Sequence, residues 1–204
     1  NGRNTTRTTS NDPNSNYARA QAMAMRRAHD DEIISAAVGD SRDGDGNSVT
    51  FPAAQEVGNG TSLITYDIVT EVTEKFMLND IDPDIPKCFV ISPEQARRLL
   101  QLTEATSGDY NAVRPLTSMG YIESWMGYKW IVSTRLTSPT GDGSDVDCFA
   151  MTEYALGLQM NQDITTEVAK DPSISFAWRI YTHSQFGAIR VEDEHLVKVT
   201  LATS

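Results

Sequence analysis

"YARAQAMAMRRAHDD", residues 17–31, runs alanine, methionine and arginine together and closes on a histidine beside two aspartates. Such a stretch can serve as a metal or acid–base site, as a nucleic-acid-binding helix, or as a rod that packs along one side. Its flanks decide its conformation. Asp12 can cap, Pro13 suits a first helical position, and Gly39 follows the last apolar residues as a stop. A helix over residues 12–38 follows, on the order of 38 Å long at about 1.5 Å per residue. That is about twice the length usual in globular proteins. Ala18, Ala22, Met25, Ile33 and Ala36 fall on one stripe, with Arg19, Arg26, Arg27 and Asp30 largely off it. Methionines at helical spacing and alanines that let a neighbour come close favour the packing rod.

The charge balance weighs against the nucleic-acid reading. Lys and Arg total 17 against 28 Asp and Glu, a net charge of -11, which repels a phosphate backbone. The chain of 204 residues, 39% hydrophobic, can bury a real core in one large or two small domains. Cys88 and Cys148 lie in the apolar runs "KCFVIS" and "DCFAM", with no CxxC or histidine companion, and read as small buried hydrophobes in a reducing compartment. No apolar run approaches the roughly 18 residues of a membrane-spanning helix. The Asn4 and Asn59 sequons read as chance matches. The chain opens on Asn1 with eleven polar residues, so an N-terminal portion that is cleaved or absent is expected.

Beyond Gly39, "GDSRDGDGNSVTFPAAQEVGNG" reads as a long loop or loose hairpin. Thr65 caps a second helix with Ile68, Val69, Val72 and Phe76 on one side, ended by "IDPDIP". "KCFVIS" is a short buried strand, and Ser92-Pro93-Glu94-Gln95 a capping box opening a helix through Ala96, Leu99 and Leu100. A polar loop over residues 103–120 leads to the strand "YKWIVST", a turn cluster and "CFAM". "ISFAWRIYT" alternates Ile174, Phe176, Trp178 and Ile180 against polar or small partners, and "HLVKVTL" puts Val197, Val199 and Leu201 on one face. Helices and strands are segregated without regular βαβ alternation, which makes the class α+β.

Convergent catalytic groups are scarce. His29, His183 and His195 lack a second ligand at metal spacing. His29-Asp30-Asp31 is the best local cluster, but on a helix residues one and two apart point in different directions. "DGDGN", started at Asp43 as a calcium loop, places Ser48 where glycine is required and Ala54 where a bidentate glutamate is required. Asp80, Asp82 and Asp84 surround Pro83 in a helix-ending loop, where acids serve solvation. The glycine-rich phosphate motifs and GxSxG are absent from the sequence. No enzyme activity, cofactor or metal is expected.

Taken in order, the pieces resemble the major capsid (coat) protein of tailed bacteriophages, the Hong Kong 97 type of capsid fold. They are "YARAQAMAMRRAHDDEIISAAVGD", "LITYDIVTEVTEKF", "CFVISPEQARRLL", "MGYKWIVSTRL", "CFAMTEYALGLQMNQDITTEV" and "ISFAWRIYTHSQFGAIRVEDEHLVKVTLA". The resemblance covers residues 12–203 and implies a long spine helix with a peripheral and an axial domain. Residues 1–60 would begin the peripheral domain, 61–172 would be mostly axial, and 173–204 would return to the peripheral domain. The fifth piece looks like the passage from a peripheral strand into the central sheet. The family's N-terminal arm and extended loop have only eleven residues to match them here.

The implied function is self-assembly, as hexamers and pentamers, into an icosahedral head shell around double-stranded DNA. Scaffolding, portal or cement proteins are implied partners, with no membrane. The implied location is the virion, after assembly in the cytoplasm of a bacterial host. Asp109, Tyr110 and Arg114 are expected near a symmetry axis as subunit contacts. Alternatives are the shell of a cellular nanocompartment, a small hydrolase or metal enzyme using His29 with Asp30 or Asp31, and a monomeric adaptor domain.

Overall fold

The computed structural model describes residues 13–102, 124–141, 143–174 and 177–203. Helix α1 spans Pro13–Val38, as its punctuation predicts. It stops where the Gly39 amide bonds the Ser35 carbonyl at 2.9 Å. A Cβ at Gly39 would lie 2.6 Å from that oxygen, so any other residue there would displace backbone. Strands β1 (Ser41–Arg42) and β2 (Ser48–Val49) form the expected hairpin.

After β3 (Glu56–Val57), helix α2 (Tyr66–Leu78) starts on Thr65, whose hydroxyl accepts from the Ile68 amide at 3.3 Å. It buries Ile68, Val69, Val72 and Phe76, the four positions its period marks. The end of α2 is a Schellman turn, with Ile81 N–H on the Phe76 carbonyl and Asp80 N–H on that of Met77. Asp80 sits there at φ 56°, a left-handed position that glycine usually fills.

Strand β4 (Lys87–Ile91) leads into α3 (Pro93–Gln101), capped by the Ser92 hydroxyl at 3.4 Å from the Gln95 amide. Only this half of the capping box forms as written. The Gln95 side chain is fully buried and turns away, accepting from the Ile64 amide at 2.8 Å and donating to the Ala202 carbonyl at 2.6 Å.

Strands β5 (Ser124–Trp125), β6 (Tyr128–Val132), β7 (Asp145–Thr152), β8 (Leu156–Asp171), β9 (Ala177–Arg190) and β10 (Leu196–Ala202) complete the described chain. Six strands form one sheet in the order β3-β10-β7-β4-β6-β5, and β8 and β9 form a separate two-stranded ribbon. In the large sheet β10–β3 and β4–β6 are parallel. The β4–β6 pair aligns Phe89 with Trp130 across a crossover that contains α3, a parallel unit that the segregated pattern did not announce. One expected strand position also moves: Ile174 lies in a 3-10 turn, Pro172–Ile174, and the strand begins at Ala177.

The contacts divide the chain into two compact units. One holds residues 1–32 and 158–187, the other 33–157 and 188–204. The sequence reading put its breaks at 60/61 and 172/173 instead. Strand pairing sets the observed division, because β8 pairs with β9 rather than with the large sheet. The chain runs from the large sheet at Thr152 into the ribbon at Leu156.

In the second unit the large sheet is buried on both faces. On one side Phe89, Ile91, Cys148, Val197, Val199 and Leu201 pack with Val69, Val72 and Phe76 of α2 and Leu99 of α3. Phe89 stacks on Trp130 at 4.7 Å between ring centroids. On the other side Val90, Phe149 and Leu196 pack with Ile34 and Ala37, at the end of α1. Fully burying a Val, Leu, Ile or Phe side chain of this set contributes about 1.5–3 kcal/mol. The stripe read from α1 is only half-buried, whereas Ile34 and Ala37, one step around the helix, are buried.

Candidate assembly surface

The residues that first suggest chemistry are structural in their surroundings. His29 Nε2 lies 2.9 Å from the Ser184 hydroxyl, and its ring stacks on Phe186 at 4.4 Å with 21° between planes. It is therefore a packed histidine joining α1 to β9. Asp30 is exposed on α1. Among the described residues no group of three or more His, Cys, Asp or Glu could hold a metal ion. Asp43 closes a turn, accepting from the amides of Asp45 at 3.0 Å and Asn47 at 2.7 Å, and its Oδ2 accepts from the Asn47 side chain at 2.9 Å. That hydrogen bond from Asn47, above all, lowers the Asp43 pKa.

Sequence reasoning missed the buried polar groups, because their burial depends on strands distant in the chain even where a partner is a near neighbour. Asp147 accepts from the Thr200 hydroxyl at 2.7 Å, and burial pushes its carboxyl up from the usual range. Asp145 accepts from Ser138 at 2.6 Å and from the Thr140 hydroxyl at 2.8 Å. The buried Arg190 guanidinium donates to Asp193 and to the Gly39 carbonyl, both at 2.5 Å, and lies 4.8 Å over the Phe51 ring. Thr152, His195 and Glu192 form a hydroxyl–imidazole–carboxylate row, 2.7 Å from Oγ1 to Nδ1 and 3.1 Å from Nε2 to Oε2. Thr152 is only 2% exposed and already accepts from the Tyr154 amide, so a substrate cannot reach its hydroxyl. These groups tie strands together.

What remains open to partners is surface. In the first unit, Thr182 donates to Gln21 at 2.8 Å and Ser184 meets His29, so alternate residues of β9 face α1. Tyr181 and His183 occupy the other face, where the rings stack and Gln162 approaches His183 at 2.7 Å. Tyr181 is 52% exposed, as is Met160, and Leu158 is 57% exposed. In the second unit, Met77 and Leu78 at the end of α2 are 60% and 74% exposed. The expected contact residues Asp109, Tyr110 and Arg114 lie outside the described residues.

The family model "Phage capsid protein" matches residues 3–203. No curated protein matches the sequence. Three similar solved structures are phage shells or their source phages. A chain from Mycobacterium phage Che8 has 19% identity and a TM-score of 0.68, covering 90% of this chain and 61% of its own. One from the capsid of cyanophage P-SCSP1u has 15% identity and a TM-score of 0.66, with coverages of 96% and 68%. One from the mature capsid of bacteriophage PhiM1 has 16% identity and a TM-score of 0.65, with coverages of 96% and 67%. This chain thus spans three fifths to two thirds of the length of the chains it matches. Matched almost end to end by that model, and sharing the fold of these shells, the chain belongs to the phage capsid protein family and has the Hong Kong 97 type of fold.

Proposed function

We propose that the chain is a structural subunit, the major capsid protein, of a tailed-phage head shell, and not an enzyme. The observation that carries this is the ribbon. β8 and β9 run 16 and 14 residues as a sheet of two strands, with Tyr181 exposed on the face turned from α1. A two-stranded hairpin is marginal in water on its own, and large exposed side chains on it favour a second surface from another subunit. Many modest contacts of that kind, repeated by closed symmetry, hold a shell together.

In this reading hexamers and pentamers of the chain enclose double-stranded DNA without sequence-specific contact, which the net charge of -11 favours. The virion is the final location, reached from the cytoplasm of a bacterial host. Scaffolding, portal and cement proteins are the proposed further partners. The unit of residues 1–32 and 158–187, with most of the long helix and ribbon, is proposed as peripheral, and the large sheet as mostly axial. Asp109, Tyr110 and Arg114 are proposed to approach a symmetry axis, which labelling protection on assembly tests.

The experiment is electron microscopy of the expressed full-length gene product, with light scattering on the same sample. Rings or closed shells support the proposal. A protein that stays monomeric across concentration and salt, with scaffolding protein supplied, overturns it in favour of an adaptor.

A further inference from the structure

The charges of this acidic chain are unevenly placed. Residues 13–29 carry three arginines and no acidic residue, within a chain of net charge -11, and exposed Asp30, one turn beyond Arg26, places one negative charge at the end of the same side. Arg19, Arg26 and Arg27 are all exposed on α1. Seven residues separate Arg19 from Arg26, about two turns, so the two lie on one side of the helix roughly 10 Å apart. Exposed Met23, between them in sequence, adds apolar surface.

A patch of the opposite sign follows α2. Residues 79–86 carry Asp80, Asp82 and Asp84 and no basic residue, and all three aspartates are exposed. The Lys87 ammonium donates to the carbonyls of Asp82, Pro83 and Ile85 at 3.0, 3.2 and 3.2 Å, which pins the loop and offsets one of its three negative charges, leaving it net acidic. The Asp82 side chain accepts from the Asp84 amide at 2.9 Å, which holds the loop in a fixed turn. Leu78, 74% exposed, adds the apolar counterpart of Met23.

We infer that the arginine face of α1 in one copy docks the Asp80–Asp84 loop of a second copy. The inference rests on the shell reading and names one contact within it. Two different patches of the same chain that fit each other make a heterologous contact, and such contacts propagate into rings and lattices instead of closing as a dimer. Opposed charge sets register and speeds encounter, while the apolar residues supply burial.

The test is a charge swap in the full-length protein, followed by sedimentation and electron microscopy. Arg19→Glu, Arg26→Glu and Arg27→Glu together, or Asp82→Lys with Asp84→Lys, should each raise the protein concentration for half-assembly about tenfold or more. Combining both sets in one chain should restore assembly. All five side chains are exposed, so circular dichroism melts of the variants should match the parent, separating lost docking from lost folding. Wild-type assembly should also weaken as salt rises from about 0.1 M to about 1 M, as screening predicts. Single sets that assemble like the parent, or a combined set no better than the single ones, overturn the contact and leave the shell reading intact. A triple arginine variant that assembles normally but loses enclosed DNA assigns the face to phosphate and also overturns it. A parent that never assembles removes the shell reading, and the contact falls with it.

Discussion

Replacing Gln95 by glutamate should turn a pH-indifferent core into a pH-sensitive one. Gln95 is fully buried, accepting from the Ile64 amide at 2.8 Å and donating to the Ala202 carbonyl at 2.6 Å. It therefore joins α3 to the segment before α2 and to the end of β10. Glutamate keeps the shape and the acceptor, but its carboxylate has no donor for Ala202 and carries a buried charge. Only the protonated acid can make both bonds. The folded-state pKa of the introduced group must then lie above its unfolded value of about 4.3.

The sign follows from linkage. Between the two pKa values the native state holds the proton more tightly than the unfolded state, so stability falls as pH rises through that window. Each unit of elevation is worth about 1.4 kcal/mol, so a two-unit elevation makes Gln95→Glu about 2.5 kcal/mol less stable at pH 8 than at pH 4, relative to the parent. Gln95→Leu leaves the Ile64 amide and the Ala202 carbonyl unpaired, at about 1–3 kcal/mol each, with no added pH dependence. Urea unfolding of parent and both variants from pH 4 to pH 8 measures this. A constant difference between Gln95→Glu and the parent across that range, or Gln95→Leu within about 0.5 kcal/mol of the parent, would refute the bridging role.

Three further outcomes are expected. Asp80→Gly should stabilise the second unit by about 0.5–1 kcal/mol, because the Schellman turn holds this residue at φ 56°; a lower melting temperature would contradict it. Arg190→Met should cost about 1–3 kcal/mol, chiefly because it leaves the Gly39 carbonyl without its donor, Asp193 being open enough to solvent to rehydrate; denaturant melts measure the loss. Cys148, whose thiol burial pushes up to about 12, should resist thiol reagents at pH 8 in the native protein, while half-buried Cys88 reacts first; peptide mapping after brief labelling distinguishes them.

Local signals were legible wherever neighbours in the chain determine the outcome. Pro13 and Gly39 bound α1 as read, Thr65 caps α2, and the apolar period of α2 names its four buried residues. The run of Val197, Val199 and Leu201 is likewise buried in one core. The order of these pieces was enough to indicate the capsid fold, because element type and sequence survive even where identity with known shells is 19% or less.

Other features depend on which strands meet. The partner of β8 is β9 rather than a strand of the large sheet, so the compact units divide at 157/158 and 187/188. Gln95 carried the signature of a local cap, yet its amide reaches residues 31 and 107 positions away. His29 stood beside two acids in the chain, yet its ring meets Phe186 and Ser184 of β9. The sequence by itself determined helices, caps and apolar faces, since those energies arise within a turn or two of chain. Only the tertiary structure decided which polar groups are buried, which faces stay exposed and where the units part, because those depend on contacts between residues far apart in the chain.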